Sequence, residues 1–469
     1  MNRKNHFFFC FHSMHQIFHY TLLFAITLSV MGLTTAKAAH AASAKTQELS
    51  AMVKVLPIRS FPQSNTELRK SLRSFSADVD RRVSAVGYPG GNSLAIVAKK
   101  LTAELPSDLA RLYAIYRWIT TYIEYDVDAY FSGDLRNAVG SANTFRRGKA
   151  VCDGYSALLQ EMGAVAGLQI EKVDGYAKGY GYAVGVMTGG ANHAWNAVNL
   201  AGHWYLLDST WDAGSLDDSG RFSRKSGRWN YFLADPEFFI TSHFPENPVW
   251  QLLPKPVTRK TFLAMASVPP GMIDLGVDIS KHSRAHIDAV VAPYRFDFGA
   301  NVQQLSGRLR AGSKEVKGAW ALQLRQPDNH LKLLFSAPKA GDYVAIVFVS
   351  EKSSDTKSSD AISYNITFTD VASYPKGFPF AFTDYYAHHV VLTEPLSGVV
   401  PAGKLVRFRL KSDGAQKMMI TQHSKPVAHL LLNSGYFTGD VMLLPGEAGV
   451  FANYGTGNSY AGLLNYQVE

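Results

Sequence analysis

Three residues near the middle of the chain have the types and the order that a nucleophilic catalytic triad requires. They are Cys152, His193 and Asp208, and they are spaced 41 and 15 residues apart. In this chemistry a thiolate attacks an acyl carbon, and an imidazole takes the thiol proton and later protonates the leaving amine. A carboxylate on the other imidazole nitrogen fixes its tautomer and stabilises the imidazolium. An alternative stays open, in which the cysteine is an inert core residue and the histidine is a hydrogen-bonded member of an aromatic-rich sheet.

Cys152 is predicted to lie at the start of a helix. A glycine-containing loop precedes it, and apolar residues recur at steps of three and four from Tyr155 to Ala166. The unpaired N–H groups and the dipole at a helix start favour an anion, and therefore a thiolate. The other cysteine of the chain, Cys10, lies in a predicted leader. Once that leader is removed, a single thiol could form neither an intramolecular disulfide nor a thiolate metal cluster.

A predicted β-hairpin brings the histidine and the aspartate together. Two β-rich runs flank Ala201-Gly202, which has the composition of a two-residue turn. With that turn, Trp195 lies opposite Asp208, and His193 is a diagonal neighbour on the same face, within side-chain reach. A three-residue loop would break this register, so the predicted proximity depends on the turn.

Other elements are predicted to support these residues. Ser107 is expected to cap a helix with a buried apolar stripe, and Asp235 to cap a shorter helix that starts with proline. Leu168–Tyr176 alternates like a strand. Residues 124–150 are polar and rich in turn formers, which predicts a long loop that leads to Cys152.

Composition indicates a folded, several-domain protein. The 469 residues are 46% hydrophobic and 18% charged. The formal net charge is +9, and it becomes +9 − 3 = +6 without residues 1–38, which contain three basic and no acidic residues. No dense block of lysine and arginine occurs, so specific nucleic-acid binding is not expected.

The N-terminus has the layout of a signal peptide. Arg3 and Lys4 precede an apolar run from Leu22 to Leu33, and small residues with an A-x-A site at 36–38 follow. The run is short for a membrane span. We therefore expect cleavage after about residue 38 and a periplasmic or secreted protein with no membrane span afterwards.

The second half of the chain changes to short strand-like runs separated by turns, typical of β-sandwiches. No catalytic constellation occurs there, and His388-His389 lacks metal-ligand partners at a suitable spacing. The predicted domains are a signal peptide (1–38), an N-terminal extension (39–92), a cysteine domain (93–262) and two β-sandwich modules (263–372 and 373–469).

The cysteine domain resembles the transglutaminase-like superfamily, and more narrowly its kyphoscoliosis-peptidase-like branch, here in a bacterial and exported form. The resemblance covers about residues 94–262. Its most specific runs are Lys149–Ser156, His193–Val198, Trp204–Asp212, Tyr231–Phe239 and Pro248–Leu253.

This resemblance implies a papain-like α+β fold, in which a cysteine helix packs on an antiparallel sheet that carries the histidine and the aspartate. It implies Cys152 as the nucleophile, His193 as the base and Asp208 as the orienting carboxylate. The Cys152 N–H is the first candidate for an oxyanion hole. Tyr125 is a second candidate, and Trp195 is a candidate substrate contact, although tryptophans of such a hairpin more often pack it.

Two features depart from animal transglutaminases. Asp153 follows the cysteine where those enzymes have tryptophan, and no acidic calcium cluster is evident. Both argue against calcium-dependent protein crosslinking, and we expect neither a cofactor nor a metal.

The leading hypothesis is an exported cysteine peptidase, amidase or acyl transferase that forms a thioester and acts on a protein or peptide, with the cell envelope as one candidate location of the substrate. The runner-up is a non-catalytic envelope scaffold or binding protein that retains the fold, for which Cys152 would be unreactive. A third option is thiol redox sensing through an intermolecular disulfide.

Overall fold

The computed structural model describes most of the chain beyond its N-terminal part. The described residues are 64–88, 93–182, 184–187, 189–217, 219–224, 229–350, 361–374 and 376–469. The predicted signal peptide at 1–38 and the polar run at 351–360 lie outside them, as does part of the predicted N-terminal extension.

Helices dominate the first half. The α-helices of the described residues are α1 (Asn65–Ser71), α2 (Ser76–Val86), α3 (Leu94–Thr102), α4 (Asp108–Tyr122), α5 (Val127–Ser132), α6 (Ser141–Arg147), α7 (Cys152–Val165), α8 (Ser209–Ala213), α9 (Pro236–Phe239), α10 (Arg259–Ala264) and α11 (Thr383–Ala387). Short 3₁₀ turns lie at Leu72–Ser74, Pro248–Gln251, Pro270–Leu275 and Ser280–His282.

The strands fall into three groups along the chain. Those of the first half are β1 (Glu124–Tyr125), β2 (Lys149–Ala150), β3 (Gln169–Ala177), β4 (His193–Leu200), β5 (His203–Leu207), β6 (Gly214–Leu216), β7 (Phe222–Arg224), β8 (Phe232–Ala234) and β9 (His243–Pro245). A second group comprises β10 (His286–Val291), β11 (Tyr294–Phe296), β12 (Gln304–Ala311), β13 (Lys314–Glu315), β14 (Ala321–Arg325), β15 (Leu331–Phe335), β16 (Gly341–Ser350) and β17 (Ala361–Asp370). The third comprises β18 (Phe380–Ala381), β19 (Val391–Glu394), β20 (Val399–Val400), β21 (Leu405–Lys411), β22 (Lys417–Gln422), β23 (Lys425–Asn433), β24 (Tyr436–Met442), β25 (Gly446–Asn453) and β26 (Ala461–Val468).

The first half is a helical layer on an antiparallel sheet of order β8-β5-β4-β3-β9. Helix α7 packs on β3, β4 and α4. The capping prediction for α4 is confirmed, since the Ser107 side chain accepts a hydrogen bond from the Ala110 N–H. Most side chains of α4 are buried in one apolar cluster that α7 shares. Burial of this cluster fixes where the first turn of α7 lies relative to the sheet.

The β4–β5 hairpin has the predicted two-residue turn. Leu200 pairs with His203, and Asn196 pairs with Leu207, which is the register expected from Ala201-Gly202. Ala201 and Gly202 both have positive φ, at 52° and 87°, as such a turn requires. The register therefore carries His193 and the residue after β5 to the same end of the sheet.

The prediction of a long loop at 124–150 is wrong. This segment contains β1, α5, α6 and β2, and the parallel β1–β2 pair lies just before α7. Asp126 caps α5 through a hydrogen bond from the Ala129 N–H and forms an ion pair with Arg147 at 2.8 Å. Helices of six or seven residues are too short to show clear periodicity, and their glycine and aspartate caps resemble loop residues.

The second group of strands forms two sheets that face each other, which we call the first β module. Their orders are β10-β17-β16-β12-β13 and β11-β15-β14. Burial alternates along β16 and β17, which is typical of strands with one face on a core. The short strands β10 and β11 were not predicted.

The third group, which we call the second β module, is one curled nine-stranded sheet around its own core, with order β18-β26-β25-β22-β23-β24-β21-β19 and β20 beside β26. The predicted class, an α+β domain followed by sandwich-like β modules, is confirmed. The residue numbers predicted for the domain limits stay predictions. No helix of the described residues has both the length and the hydrophobicity to cross a bilayer.

Candidate active site

Cys152 is the first residue of α7, as predicted, with Val151 as the N-cap. At this position its N–H has no acceptor within the helix and points out of the helix end. Its side chain is partly exposed. Gly154, one step further, is tightly enclosed, because an added Cβ there would lie 2.6 Å from the Ala150 Cβ. This close contact holds the helix start against β2.

Asp153 is a structural anchor for the same turn. Its Oδ1 accepts a hydrogen bond from the Gly140 N–H at 3.0 Å, and its Oδ2 pairs with Lys172 on β3. The residue that departs from animal transglutaminases therefore ties α7 both to the preceding segment and to the sheet.

His193 and Asp208 are joined by a hydrogen bond of 2.7 Å between Nε2 and Oδ2. His193 is the first residue of β4, and Asp208 is the N-cap of α8. The Asp208 Oδ1 accepts hydrogen bonds from the N–H groups of Thr210 and Trp211 at 2.8 and 3.0 Å. Since Nε2 of His193 is engaged by the carboxylate, its Nδ1 is the nitrogen left for another partner, and the negative charge of Cys152 acts on the same ring.

A second histidine shares the carboxylate, and the sequence analysis missed it. His243 Nε2 lies 3.0 Å from the same Oδ2 of Asp208, and its Nδ1 lies 2.8 Å from Ser242 Oγ. His243 is fully buried in β9, which pairs with β3. Its position 35 residues after Asp208 gives no local pattern, and only the pairing of β9 with the edge of β3 brings it to the site.

The charges of this cluster follow from burial and pairing. Burial lowers the pKa of His193, but the negative charges of Asp208 and Cys152 outweigh it and raise that pKa to about 10. Burial raises the pKa of Asp208, but His193 and the His243 hydrogen bond hold it well below its usual range. Burial lowers the pKa of His243 to about 4, so its ring is neutral near pH 7.

These protonation states fix the hydrogen positions. An ionised Asp208 can only accept, so His243 donates its Nε2–H to Oδ2. A neutral imidazole then has a bare Nδ1, which accepts from the Ser242 hydroxyl. Ser242, His243, Asp208 and His193 thus form one connected hydrogen-bond chain, in which Ser242 donates to His243 and both histidines donate to the Asp208 carboxylate.

The two histidines contribute opposite pH dependences to stability, and their joint contribution is largest near pH 6.5, while the lowered pKa of Lys178 opposes the decline at higher pH. The folded pKa of His243 is lowered, so between about pH 4 and 6.5 the unfolded chain binds more protons and unfolding becomes easier as the pH falls. The folded pKa of His193 is raised, so its contribution is complete below pH 6.5 and is lost as the pH rises toward 10. Urea unfolding from pH 4 to 10 measures both limbs. A curve unchanged in a His193→Gln variant above pH 6.5 would contradict the assignment.

Aromatic side chains enclose the histidines. His243 stacks on Phe239 with ring centroids 4.2 Å apart and lies 4.3 Å from Trp211. Trp195 is 1% exposed and packs edge-on against His243 at 5.1 Å, so it supports the histidines and is too deeply buried to contact a substrate. This enclosure keeps water away from the charged pair and strengthens its attraction.

A buried tyrosine fixes the aspartate from the helical layer. The Tyr116 hydroxyl lies 2.8 Å from the Asp208 carbonyl oxygen and 2.7 Å from Asp212 Oδ2, and the aspartates accept its single proton between them. Burial and the Asp212 charge raise the Tyr116 pKa well above its ordinary value, so the hydroxyl stays protonated. Asp212 also accepts from the N–H groups of Asn230 and Tyr231, both at 3.0 Å. The core helix α4 therefore holds the backbone of the orienting carboxylate.

A cleft of about 480 Å³ opens onto His193. Its walls include Tyr125 and Trp211, and the described lining residues contain no acidic side chain. Burial, together with the negative charge at Cys152, raises the Tyr125 pKa, so its phenol stays protonated and can donate a hydrogen bond. Tyr125 is therefore a lining residue whose hydroxyl can donate, whereas Trp195 is not part of this wall.

Lys178 is a further cleft residue that the sequence analysis missed. Its Nζ donates to the carbonyl oxygens of Phe262 and Met265, both at 2.7 Å, and lies 4.3 Å above the Phe262 ring. Burial without an acidic partner lowers its pKa to about 7. Lys178 therefore connects the cleft wall that follows β3 to the C-terminal end of α10.

One cluster has the residue types of a metal site. Ligand atoms of His193, Asp208 and His243 lie within 4.8 Å of one another. Both Nε2 atoms are already hydrogen-bonded to Oδ2, so a metal ion would have to break both bonds in a buried space. The hydrogen-bonded chain accounts for all three residues.

Comparison with known proteins relates the part of the chain that holds this site to a described superfamily. The family model described as "Transglutaminase-like superfamily" matches residues 96–209, which include all three residues of the predicted triad. "Kyphoscoliosis peptidase" of Mus musculus is 41% identical over 202 residues, and "Hillarin" of Drosophila melanogaster is 30% identical over 198 residues. The solved "Crystal structure of a TGase" matches with 17% identity and a TM-score of 0.21, over 35% of this chain and 38% of that one.

The chain therefore contains a transglutaminase-like domain, homologous to proteins of the kyphoscoliosis-peptidase type. The matches cover 41% and 39% of this chain, but only 30% of the mouse protein and 24% of the fly protein. Both named relatives are eukaryotic, so they do not support the bacterial origin that the sequence analysis expected.

Proposed function

We propose that this protein is a cysteine-dependent acyl-transfer enzyme, either a peptidase or amidase or an acyl transferase. The observation that carries the proposal is the 2.7 Å hydrogen bond between His193 and Asp208, together with the charge interaction between the His193 ring and Cys152, which lies at a helix start. If His193 were only a core residue, its function would not require a cysteine nearby. If Cys152 were only a structural residue, its function would not require a charged imidazole nearby.

The reaction would proceed in two balanced steps. The Cys152 thiolate attacks the acyl carbon, an S–C bond forms, and the carbonyl π electrons move to oxygen, where the Cys152 N–H and the Tyr125 hydroxyl can stabilise the charge. The C–N bond then breaks as the His193 imidazolium gives its proton to the departing amine, which leaves a thioester. His193 next takes a proton from water or from a second amine, which attacks the thioester and releases the sulfur.

The cleft favours a neutral or anionic acyl donor. Its aromatic wall, in which His193 and a lysine that is only partly protonated near pH 7 are the basic lining residues, suits a peptide segment with apolar or aromatic side chains. The proposal includes export of the protein and action on envelope proteins. The export part rests on the signal peptide predicted at residues 1–38, which lie outside the described part of the chain.

The test is the rate of Cys152 alkylation by iodoacetamide as a function of pH. Trypsin releases residues 150–172, so mass spectrometry can follow Cys152 separately from Cys10. We expect rapid alkylation below about pH 8.5, where an ordinary cysteine is mostly protonated, and loss of that reactivity in His193→Ala. The imidazolium, stabilised by Asp208, is what would maintain the thiolate at lower pH.

His389→Ala is the matched control, because His389 forms a His–Asp pair with Asp413 at 3.1 Å, outside the site. That variant should keep the wild-type profile. An unreactive thiol, or a profile unchanged by His193→Ala, would refute the enzyme and leave a scaffold that retains the fold. A disulfide-linked dimer on a non-reducing gel, absent in Cys152→Ala, would instead indicate redox sensing.

A further inference from the structure

A second pocket lies between the two β modules, far along the chain from the cysteine domain. The three-stranded sheet β11-β15-β14 is shared between two cores: Leu333 of β15 packs in the core of the first β module, and Leu334 in that of the second. Beside this sheet, β19, β21 and β24 of the second module close a pocket of about 290 Å³. We call it the inter-module pocket.

Four cationic side chains line the inter-module pocket, and they come from four different strands. Arg295 lies on β11, Arg325 on β14, Lys332 on β15 and Arg409 on β21. The lining residues include no aspartate or glutamate. Within the described parts of the chain, none of the four takes part in an ion pair, although several other surface arginines and lysines do.

The nearest acidic residues do not neutralise this group. Glu394 is the cross-strand partner of Arg409, yet no ion pair joins them among the described residues. Asp413 attracts Arg325 at longer range, but its carboxylate is bonded to His389. Within the described part of the chain, the four cations of the pocket therefore have no ion-pair partner, and Asp413 acts on Arg325 only at longer range.

Two arginines of the pocket, Arg325 and Arg409, have donor groups positioned to bind an anion. The Arg325 Nε is buried and has no hydrogen-bond acceptor, while its Nη1 donates to the Asn329 carbonyl oxygen at 3.4 Å, and burial lowers the pKa of this guanidinium despite the attraction of Asp413. The Arg409 guanidinium lies 4.0 Å above the Tyr436 ring, another lining residue, which fixes its plane. An orphaned buried donor beside an oriented guanidinium is the arrangement that an oxyanion would satisfy.

We propose that the inter-module pocket binds a small multivalent oxyanion, with two or more phosphate, sulfate or carboxylate groups. Guanidinium groups pair with such oxygens in a bidentate manner, and cations from four strands can engage more than one anionic group. The volume is at the lower limit of small-molecule sites, which suits a compact ligand or the charged end of a longer chain. Because the pocket joins both modules, an anion bound there would strengthen their contact.

The test uses inorganic pyrophosphate and full-length protein carrying Cys152→Ala, so that no result depends on the proposed reaction. Isothermal titration calorimetry and thermal unfolding compare this parent protein with a variant that also carries Arg325→Gln and Arg409→Gln. We expect saturable pyrophosphate binding with a raised unfolding temperature, and affinity at least about tenfold weaker in the double variant, because charge-assisted hydrogen bonds are lost. Linear polyphosphate as a second probe distinguishes a free small anion from an anionic chain end.

The matched control is Arg310→Gln/Arg407→Gln, which removes two arginines of the same two modules outside the pocket. Arg310 binds the Ser313 carbonyl oxygen and Arg407 pairs with Asp440. The control should bind like the parent. Equal weakening in both double variants would show general surface electrostatics, and no binding of either probe at low ionic strength would refute the site.

Discussion

Replacement of Asp208 by asparagine should reduce turnover of a p-nitrophenyl ester by about 10³–10⁴-fold while leaving the protein folded, the magnitude expected when a triad loses its orienting carboxylate. The carboxylate accepts from both His193 and His243 through one oxygen. An asparagine amide cannot hold the imidazolium by charge, and its NH₂ group would favour the wrong tautomer of His193. Release of nitrophenolate gives the rate, and alkylation of Cys152 should lose its low-pH component in parallel.

The fold should survive because asparagine keeps the capping role. Oδ1 of residue 208 would still accept from the N–H groups of Thr210 and Trp211 at the start of α8. Asp235→Asn is the matched control, since Asp235 caps α9 in the same way and does not contact the site. Full activity in Asp208→Asn, with Asp235→Asn also active, would show that the His193–Asp208 pair is structural.

The sequence predicted those parts of the site that depend on short-range geometry. The Ala201-Gly202 turn fixes the hairpin register, and this register alone brings His193 to Asp208. Helical spacing after Cys152 placed the cysteine at the first turn of α7. In both cases a few neighbouring residues determine the backbone, so the pattern is visible without the tertiary structure.

The parts that were missed depend on distant contacts. His243 reaches Asp208 only because β9 pairs with the far edge of β3, and no local pattern encodes that pairing. Lys178 is buried because α10 returns over it, although lysine is a common surface residue. The short helices α5 and α6 are stabilised by capping and packing, and they are too short for an apolar periodicity that the sequence would reveal.

The β modules show the same division. The sequence predicted short strands in the second half, and β12, β16, β17 and β21 are among the strands that form there. The assembly of the second β module into one curled nine-stranded sheet was not visible, because strand order depends on pairing between distant segments. The inter-module pocket is a product of that assembly, and its four cations are scattered over more than a hundred residues of sequence.

Replacement of His243 by phenylalanine should reduce ester turnover by about 10–100-fold without unfolding the protein. His243 neither contacts the substrate cleft nor moves a proton in the proposed reaction, so it is a positioning residue. Its neutral Nε2–H stabilises the buried Asp208 charge, and a hydrogen bond to a charged group contributes about 1.5–3 kcal/mol. Phenylalanine keeps the stacking on Phe239 but has no donor. His243→Gln, which retains an N–H donor, should recover part of the rate.

If His243 had only a structural role, its variants would show a different pattern. The pH dependence of stability distinguishes this role from a positioning role. Because the lowered pKa of His243 contributes to the acid limb of the stability curve between about pH 4 and 6.5, the phenylalanine variant should lose that contribution and keep the one from His282, whose pKa burial also lowers. His282→Phe is the matched control, since His282 also lies among aromatic rings, near Phe296 at 5.1 Å, but in the first β module. If both variants lose activity only in proportion to stability, or if glutamine restores nothing, His243 does not act through Asp208. If the phenylalanine variant stays folded, loses turnover and loses that contribution to the acid limb together, the chain from Ser242 to His193 is what keeps the Asp208 carboxylate ionised and aimed at the base.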